Sequence, residues 1–241
     1  MSEYSYVGEE LDQARHAHNW KSYFGLCLSP YLRGRVLEVG AGLGGTTIPL
    51  RGETAASWTC LEPDASLAAR LRTTLEQNPS PVPTTVTVGG MEAIAPDEVF
   101  DAILYIDVLE HIEDDRAELK RAFDHLSATG NVVVLSPAFP QLFSELDRGL
   151  GHFRRYTKRT LCDVFPDGTI PVRVFYLDSI GMLASLANKF IMRQTAPTEK
   201  QIKFWDRTII PLSRVADRLL RYSLGRSVVA IYRHGSGATT R

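Results

Sequence analysis

The segment Glu38-Val39-Gly40-Ala41-Gly42-Leu43-Gly44-Gly45-Thr46-Thr47 constrains this chain more than any other. The apolar run Arg35–Val39 feeds straight into four glycines within six positions, after which a helix should start. Glycines at such a junction let the backbone turn sharply and let a ligand approach the main chain without meeting a Cβ. About 20 residues on, a second apolar run ends in Glu62, placed to accept hydrogen bonds from a ribose diol. A strand, a glycine loop, a helix and an acid at the next strand end describe a nucleotide-binding α/β unit.

The rest of the chain alternates in the same way. Apolar runs at Arg35–Val39, Trp58–Leu61, Thr84–Val88, Phe100–Ile106, Asn131–Leu135, Arg173–Leu177 and Ser227–Arg233 are expected to be strands. Asp64–Gln77 and Asp114–Leu126 carry apolar residues at helical spacing, and Gly130-Asn131 is read as the stop of the second helix. At 241 residues, with 44% hydrophobic and 23% charged content, one large domain is expected over 1–241. A net charge of −1 gives no global attraction to nucleic acid. No apolar run approaches the ~20 residues of a membrane span. The N-terminal residues are polar and acidic, and Cys27, Cys60 and Cys162 form no CxxC pair, so a cytoplasmic protein with reduced thiols is expected.

A lone GxGxxG pattern also suits NAD. Against NAD stand the acid Glu38 inside the strand, the loop spacing that puts Gly45 third, and an acidic cluster after the fourth run. Val36–Gly44 resembles motif I of class I S-adenosylmethionine-dependent methyltransferases. Phe100-Asp101-Ala102-Ile103 with Asp107-Val108-Leu109-Glu110-His111-Ile112-Glu113-Asp114-Asp115 is similar to their motif IV, and Leu126–Asn131 resembles the entry to their fifth strand. The resemblance spans roughly residues 30–137. It implies a Rossmann-like, seven-stranded, mostly parallel sheet whose last strand is antiparallel, with helices on both faces and a helical lid. It implies S-adenosyl-L-methionine as cofactor, with Glu38, Gly40 and Gly42 at the methionine end and Glu62 on the ribose hydroxyls. Pro63, Met91 and Glu92 would flank the adenine, and Ile106 and Asp107 would face the sulfonium. Gly90 stands where relatives often carry an acid for the adenine amine.

Asp107, Glu110 and His111 form a carboxylate and imidazole set that suits two roles. One is a divalent cation orienting a catechol or diol for O-methylation, as in quinone-pathway enzymes with a similar pattern. The other is structural, with Asp107 and His111 beside the reaction and Asp114-Asp115 capping the next helix. The structural role is the expected one, and no metal is expected.

Two segments interrupt the alternation. Residues 138–160 contain Gly151-His152-Phe153-Arg154-Arg155-Tyr156, which resembles the mark of a bacterial small-molecule subgroup associated with glycan, lipid or secondary-metabolite pathways. Here His152 reads as a general base, oriented by Asp147 unless that acid pairs with Arg154. Arg154, Arg155 and Tyr156 read as an acceptor site for a phosphate or carboxylate, against the plain alternative of a loop with an Asp–Arg pair and Thr157 as N-cap for Lys158–Val164. The aromatic, His-rich cap 1–33 adds Tyr6 and His18 as substrate contacts, with Trp20 and Phe24 read as packing. Segment 180–226 is expected to act as lid or dimer contact; within it, residues 199–226 hold seven Lys/Arg against three acids, a balance that also suits a membrane surface.

The expected function is methyl transfer to a small-molecule acceptor by a monomer or homodimer, without nucleic acid or stable membrane insertion. A non-catalytic cofactor-binding partner subunit is the alternative from a different class, and an NAD oxidoreductase lacks recognisable nicotinamide-site residues.

Overall fold

A computed structural model describes residues 17–52, 54–187 and 198–235. The apolar runs become β1 (Gly34–Val39), β2 (Ala55–Glu62), β3 (Thr84–Val88), β4 (Phe100–Ile106), β5 (Leu126–Pro137), β6 (Thr169–Leu177) and β7 (Ser227–His234). They form one sheet in the order β3-β2-β1-β4-β5-β7-β6. β1 to β5 pair in parallel, while β7 runs antiparallel between β5 and β6.

Period-two alternation sends side chains to two buried faces. On one face Leu37, Ile103, Tyr105, Val134 and Ala230 pack beneath α4 (Asp115–Asp124). On the other Val36, Trp58, Leu104, Val133 and Ile231 meet α1 (His18–Leu28). Leu71 of α3 (Ala65–Gln77) joins that second face, and the short α2 (Thr47–Leu50) follows the glycine loop. Asp64 and Asp114 cap α3 and α4 by accepting backbone N–H bonds.

The fifth strand starts earlier than its apolar run. Leu126 already pairs with Phe100, the register then shifts, and Asn131 pairs with Ala102. Gly130 therefore does not stop a helix: it lies inside the strand, where a Cβ would come within 2.8 Å of Leu126 Cδ1 and 3.0 Å of the Asp101 carbonyl. α4 has ended by Asp124.

Beyond β5 come α5 (Glu145–Gly149) and α6 (Lys158–Cys162), the latter capped by Thr157 and two residues shorter than its sequence pattern. After β6 come α7 (Ser179–Ala187), α8 (Glu199–Phe204), a π-helical turn (Trp205–Ile209) and α9 (Ile210–Leu219). The π turn adds backbone per revolution and precedes Pro211, which has no N–H to give. Ile210 is buried, whereas Leu212 and Leu219 are exposed. No helix among the described residues is long and apolar enough to cross a membrane.

Candidate active site

The glycine loop leaves β1 with Gly40, Gly42 and Gly44 all at positive φ (69°, 54° and 80°). A Cβ on Gly40 would stand 2.6 Å from Val108 Cγ2, so the loop passes close under the end of β4. The loop borders a cavity of about 950 Å³ that reaches from Gly40–Thr46 to Ile106 and Asp107. Its remaining wall includes α1, through His18, Trp20 and Lys21. Among the described residues of 138–160 and 180–226 none lines that wall, which α1 closes on one side. Tyr6 lies outside the described residues.

Two buried acids hold the loop from beneath. Glu62 accepts from Gly42 N (2.8 Å) through Oε2 and from Asp64 N (3.0 Å) through Oε1. Burial raises its pKa, opposed by those two bonds. Glu38 uses Oε2 to accept from Thr47 Oγ1 (2.7 Å) and Trp58 Nε1 (2.8 Å). Fully enclosed, it is pushed up to about 7 by desolvation, against the pull of the same two donors. Glu38 therefore braces the start of α2 against β2, a role the motif does not reveal because both donors lie elsewhere in the chain. Of the expected adenine contacts, Pro63 is exposed and Glu92 folds back to accept from Gly90 N (2.9 Å). The Met91 side chain is 2% exposed and packs in the core with Leu61 and Ile94.

Asp107 terminates β4 in the left-handed region (φ 53°), with its N–H on the Leu135 carbonyl (2.8 Å). Such backbone in a non-glycine residue is costly and clusters at functional sites. Its side chain is exposed at the cavity end, yet the surrounding protein pushes its carboxyl up to about 6, while His152, Arg226 and Arg155 pull it down.

The insertion folds against this edge. Ala138 and Tyr156 form an isolated bridge, and Phe153 N donates to the Glu110 carbonyl (2.8 Å). Asp147 is the hub. It accepts from His152 Nδ1 (3.0 Å), from Arg155 Nε (2.7 Å) and Nη2 (3.0 Å), and from Ser144 N (2.8 Å) and Oγ (2.7 Å). Burial disfavours its charge, but this set of donors outweighs burial and holds its carboxyl well below the usual range. Arg154 instead pairs with Asp115 (2.7 Å) and donates to the Glu113 carbonyl (2.7 Å), while the Tyr156 hydroxyl donates to Asp115 Oδ2 (2.8 Å). The expected acceptor clamp of Arg154, Arg155 and Tyr156 is therefore committed to internal carboxylates. Of the two roles open to Asp147, orienting His152 is found and pairing with Arg154 is not. Asp115, 41 residues before Tyr156 and unremarkable by sequence pattern, supplies that second anchor.

His152 meets His111 edge to face, with ring centroids 4.5 Å apart. Burial and then His152 lower the His111 pKa to about 4, so its ring is neutral near pH 7. Glu110, fully buried, accepts from Ser136 Oγ (2.9 Å) with Oε2, and burial raises its pKa well above the ordinary value. Glu110 Oε1 and His111 Nδ1 are buried with no hydrogen-bond partner. One potential ligand atom from each of Glu110, His111 and His152 lies within 4.8 Å of the others. Among the described residues this grouping differs from the Asp107/Glu110/His111 set weighed as the metal alternative, with His152 in place of Asp107.

Residues 37–132 match a family model described as a methyltransferase domain. Solved structures with the same fold include a chain of the complex between the Haloferax volcanii Trm112 methyltransferase activator and a methyltransferase (13% identity, TM-score 0.65, covering 94% of this chain and 95% of that one). They also include the N-methyltransferase NodS of Bradyrhizobium japonicum with S-adenosyl-L-homocysteine (15% identity, TM-score 0.56, 92% and 87% covered). A third is the cyclopropane synthase MmaA2 of Mycobacterium tuberculosis (16% identity, TM-score 0.56, 88% and 82% covered). No curated protein sequence matches the chain.

Proposed function

We propose, from the premise of a methyltransferase domain over residues 37–132 that uses S-adenosylmethionine, that this chain methylates a small-molecule acceptor that reaches Asp107 and His152. The observation that carries this reading is the meeting of two separately built halves at the end of β4. The cavity under the glycine loop ends at Asp107, and the Asp147–His152 pair is anchored on the same edge.

The residues present fit the cofactor. Gly40 passes so close to Val108 that a Cβ would clash, Gly42 stands at positive φ, and both line the cavity with bare backbone, while Glu62 offers a ribose diol a carboxylate with lone pairs beyond the two already used. When bound, the cofactor supplies an electrophilic methyl on a sulfonium. That methyl would pass to an oxygen, nitrogen or activated carbon of the acceptor as its bond to sulfur breaks, with S-adenosylhomocysteine as the other product. Asp147 fixes the His152 tautomer by accepting from Nδ1–H, which leaves the Nε2 lone pair to take the acceptor's proton. Arg155 acts on Asp147, holding the carboxylate in place rather than binding the acceptor. Alignment and exclusion of water supply the remainder. The pathway classes suggested by the Gly-His-x-Arg-Arg-Tyr segment make phenolic, glycosidic and phosphorylated compounds the acceptors to screen with methyl-labelled cofactor. Label transfer to none of them, with cofactor bound, would favour the non-catalytic partner subunit instead.

A second reading has its own support in the unpartnered Glu110 Oε1 and His111 Nδ1. A divalent cation held by Glu110, His111 and His152 would satisfy both atoms and orient a diol, with Asp147 steadying the histidine ligand from behind. Turnover that is lost on chelation and restored by added cation decides for it; turnover indifferent to chelation decides for His152 as a base.

A further inference from the structure

α9 packs on the protein by a largely polar face and turns its apolar residues outward. Its buried side consists of Ile210, Ser213 and Asp217. Ser213 Oγ donates to Asp178 (2.6 Å), while Asp217 accepts from the Tyr23 hydroxyl (2.7 Å) and from the N–H groups of Asp178 (2.8 Å) and Ser179 (2.9 Å). The opposite side is a ridge of Leu212, Val215 and Leu219, exposed by 55%, 61% and 81%. Spacings of three and four keep these three in one line, and exposed Phe204 and Leu220 lie close to it in sequence. A helix that covers a core ordinarily shows the reverse arrangement.

The charges are sorted in the same sense. Of the three acids in 199–226, Asp206 and Asp217 are buried, Asp206 capping α1 by accepting from Asn19 N (3.1 Å) and Trp20 N (2.9 Å). Glu199 alone is exposed, beside Lys203. Lys200, Arg207, Arg214, Arg218, Arg221 and Arg226 are all exposed. The outer surface is thus more basic than the sequence count, because folding consumes the acids and leaves the cations.

We propose that this face docks on an anionic phospholipid surface, with the Leu212–Val215–Leu219 ridge at the acyl boundary and the arginines on lipid phosphates. A two-fold dimer through the same ridge would set Arg214 and Arg218 against their own copies with one exposed acid per segment to offset them, so the charge pattern selects lipid over a second copy. The polar face of α9 is turned to α1, which lines the cavity, so the ridge faces away from it and docking leaves the cavity wall in place. The proposal is independent of the methyl-transfer reading.

The full chain should co-sediment with vesicles of phosphatidylcholine containing about 30% phosphatidylserine, should bind pure phosphatidylcholine far less, and should be released by high salt. Each cation removed should weaken partitioning about fivefold, so Arg214→Ala with Arg218→Ala together cost about 30-fold. Val215→Glu with Leu219→Glu should abolish sedimentation without lowering the unfolding temperature, since both side chains face outward. Absence of binding to anionic vesicles, binding that ignores lipid charge, or binding untouched by both double variants overturns the proposal. So does sedimentation velocity showing a dimer that Val215→Glu with Leu219→Glu dissociates.

Discussion

The two ends of the candidate site are built on different principles. At the cofactor end, a short continuous segment turns its own backbone around the cavity, and its two supporting acids reach it from the adjacent strand ends. At the acceptor end, no single segment suffices. Asp147 and His152 from the insertion, Glu110 and His111 from the β4 edge and Ser136 from β5 converge only in three dimensions. The first kind of site tolerates no side chain where the backbone must pass. The second tolerates no lost partner, because its buried charges are held by one another.

That contrast is sharpest in transfer kinetics. His152→Ala should lower kcat on the order of 10²–10⁴-fold if it accepts the proton, while calorimetry shows cofactor affinity unchanged. Full kcat in the variant would detach the insertion from the chemistry.

Glu38→Gln probes the opposite half through stability. The folded carboxyl is pushed up to about 7 from 4.5, so between those pH values the folded state holds a proton that the unfolded state has released. Stability therefore falls as pH rises through that window, by about 3 kcal/mol at pH 7 and above. The glutamine keeps an oxygen for Thr47 and Trp58 and carries no charge, so denaturant titrations of the variant should lose this fall. An unchanged pH profile would mean that the acid beneath the loop is not the buried one.

Glu62→Gln should weaken S-adenosylhomocysteine binding about 10- to 100-fold, corresponding to about 1.5–3 kcal/mol for hydrogen bonds to a charged group. The amide has one accepting oxygen for the two N–H groups of Gly42 and Asp64, so the loop is disturbed as well. Affinity equal to the parent's in isothermal titration would remove Glu62 from the ribose site.

The smallest effect is expected for Arg154→Ala. Its pair with Asp115 is partly exposed (32% for the arginine side chain), so the loss should be about 1 kcal/mol, a drop of about 2–4 °C in Tm, with the acceptor KM intact. A raised KM with Tm unchanged would return Arg154 to the acceptor site and erase the distinction between a clamp and a brace.

What could be read from the chain alone follows from the range of the forces involved. Strand runs, the glycine loop, the N-caps Asp114 and Thr157, and the position of Glu62 at the end of β2 all depend on neighbours within a turn or on a regular period. The antiparallel last strand came through the family resemblance rather than through periodicity, which is blind to strand direction. Tertiary structure decided the partners. Asp147 chose Arg155 and His152 while Arg154 went to Asp115, because each guanidinium takes the carboxylate that the folded insertion brings within reach, and adjacent residues point to different sides. It also decided that Glu38 serves Thr47 and Trp58, and that Met91 is core. Most plainly it decided the direction of α9. Residues 199–226 read as a lid or dimer contact with a basic balance, and the fold set which side of α9 faces out: buried Asp178 and Asp217 take the polar side, leaving Leu212, Val215 and Leu219 outward. Burying a carboxylate with its hydrogen bonds satisfied fixes a helix's orientation as firmly as burying a leucine does, and hydrophobic periodicity carries no record of it.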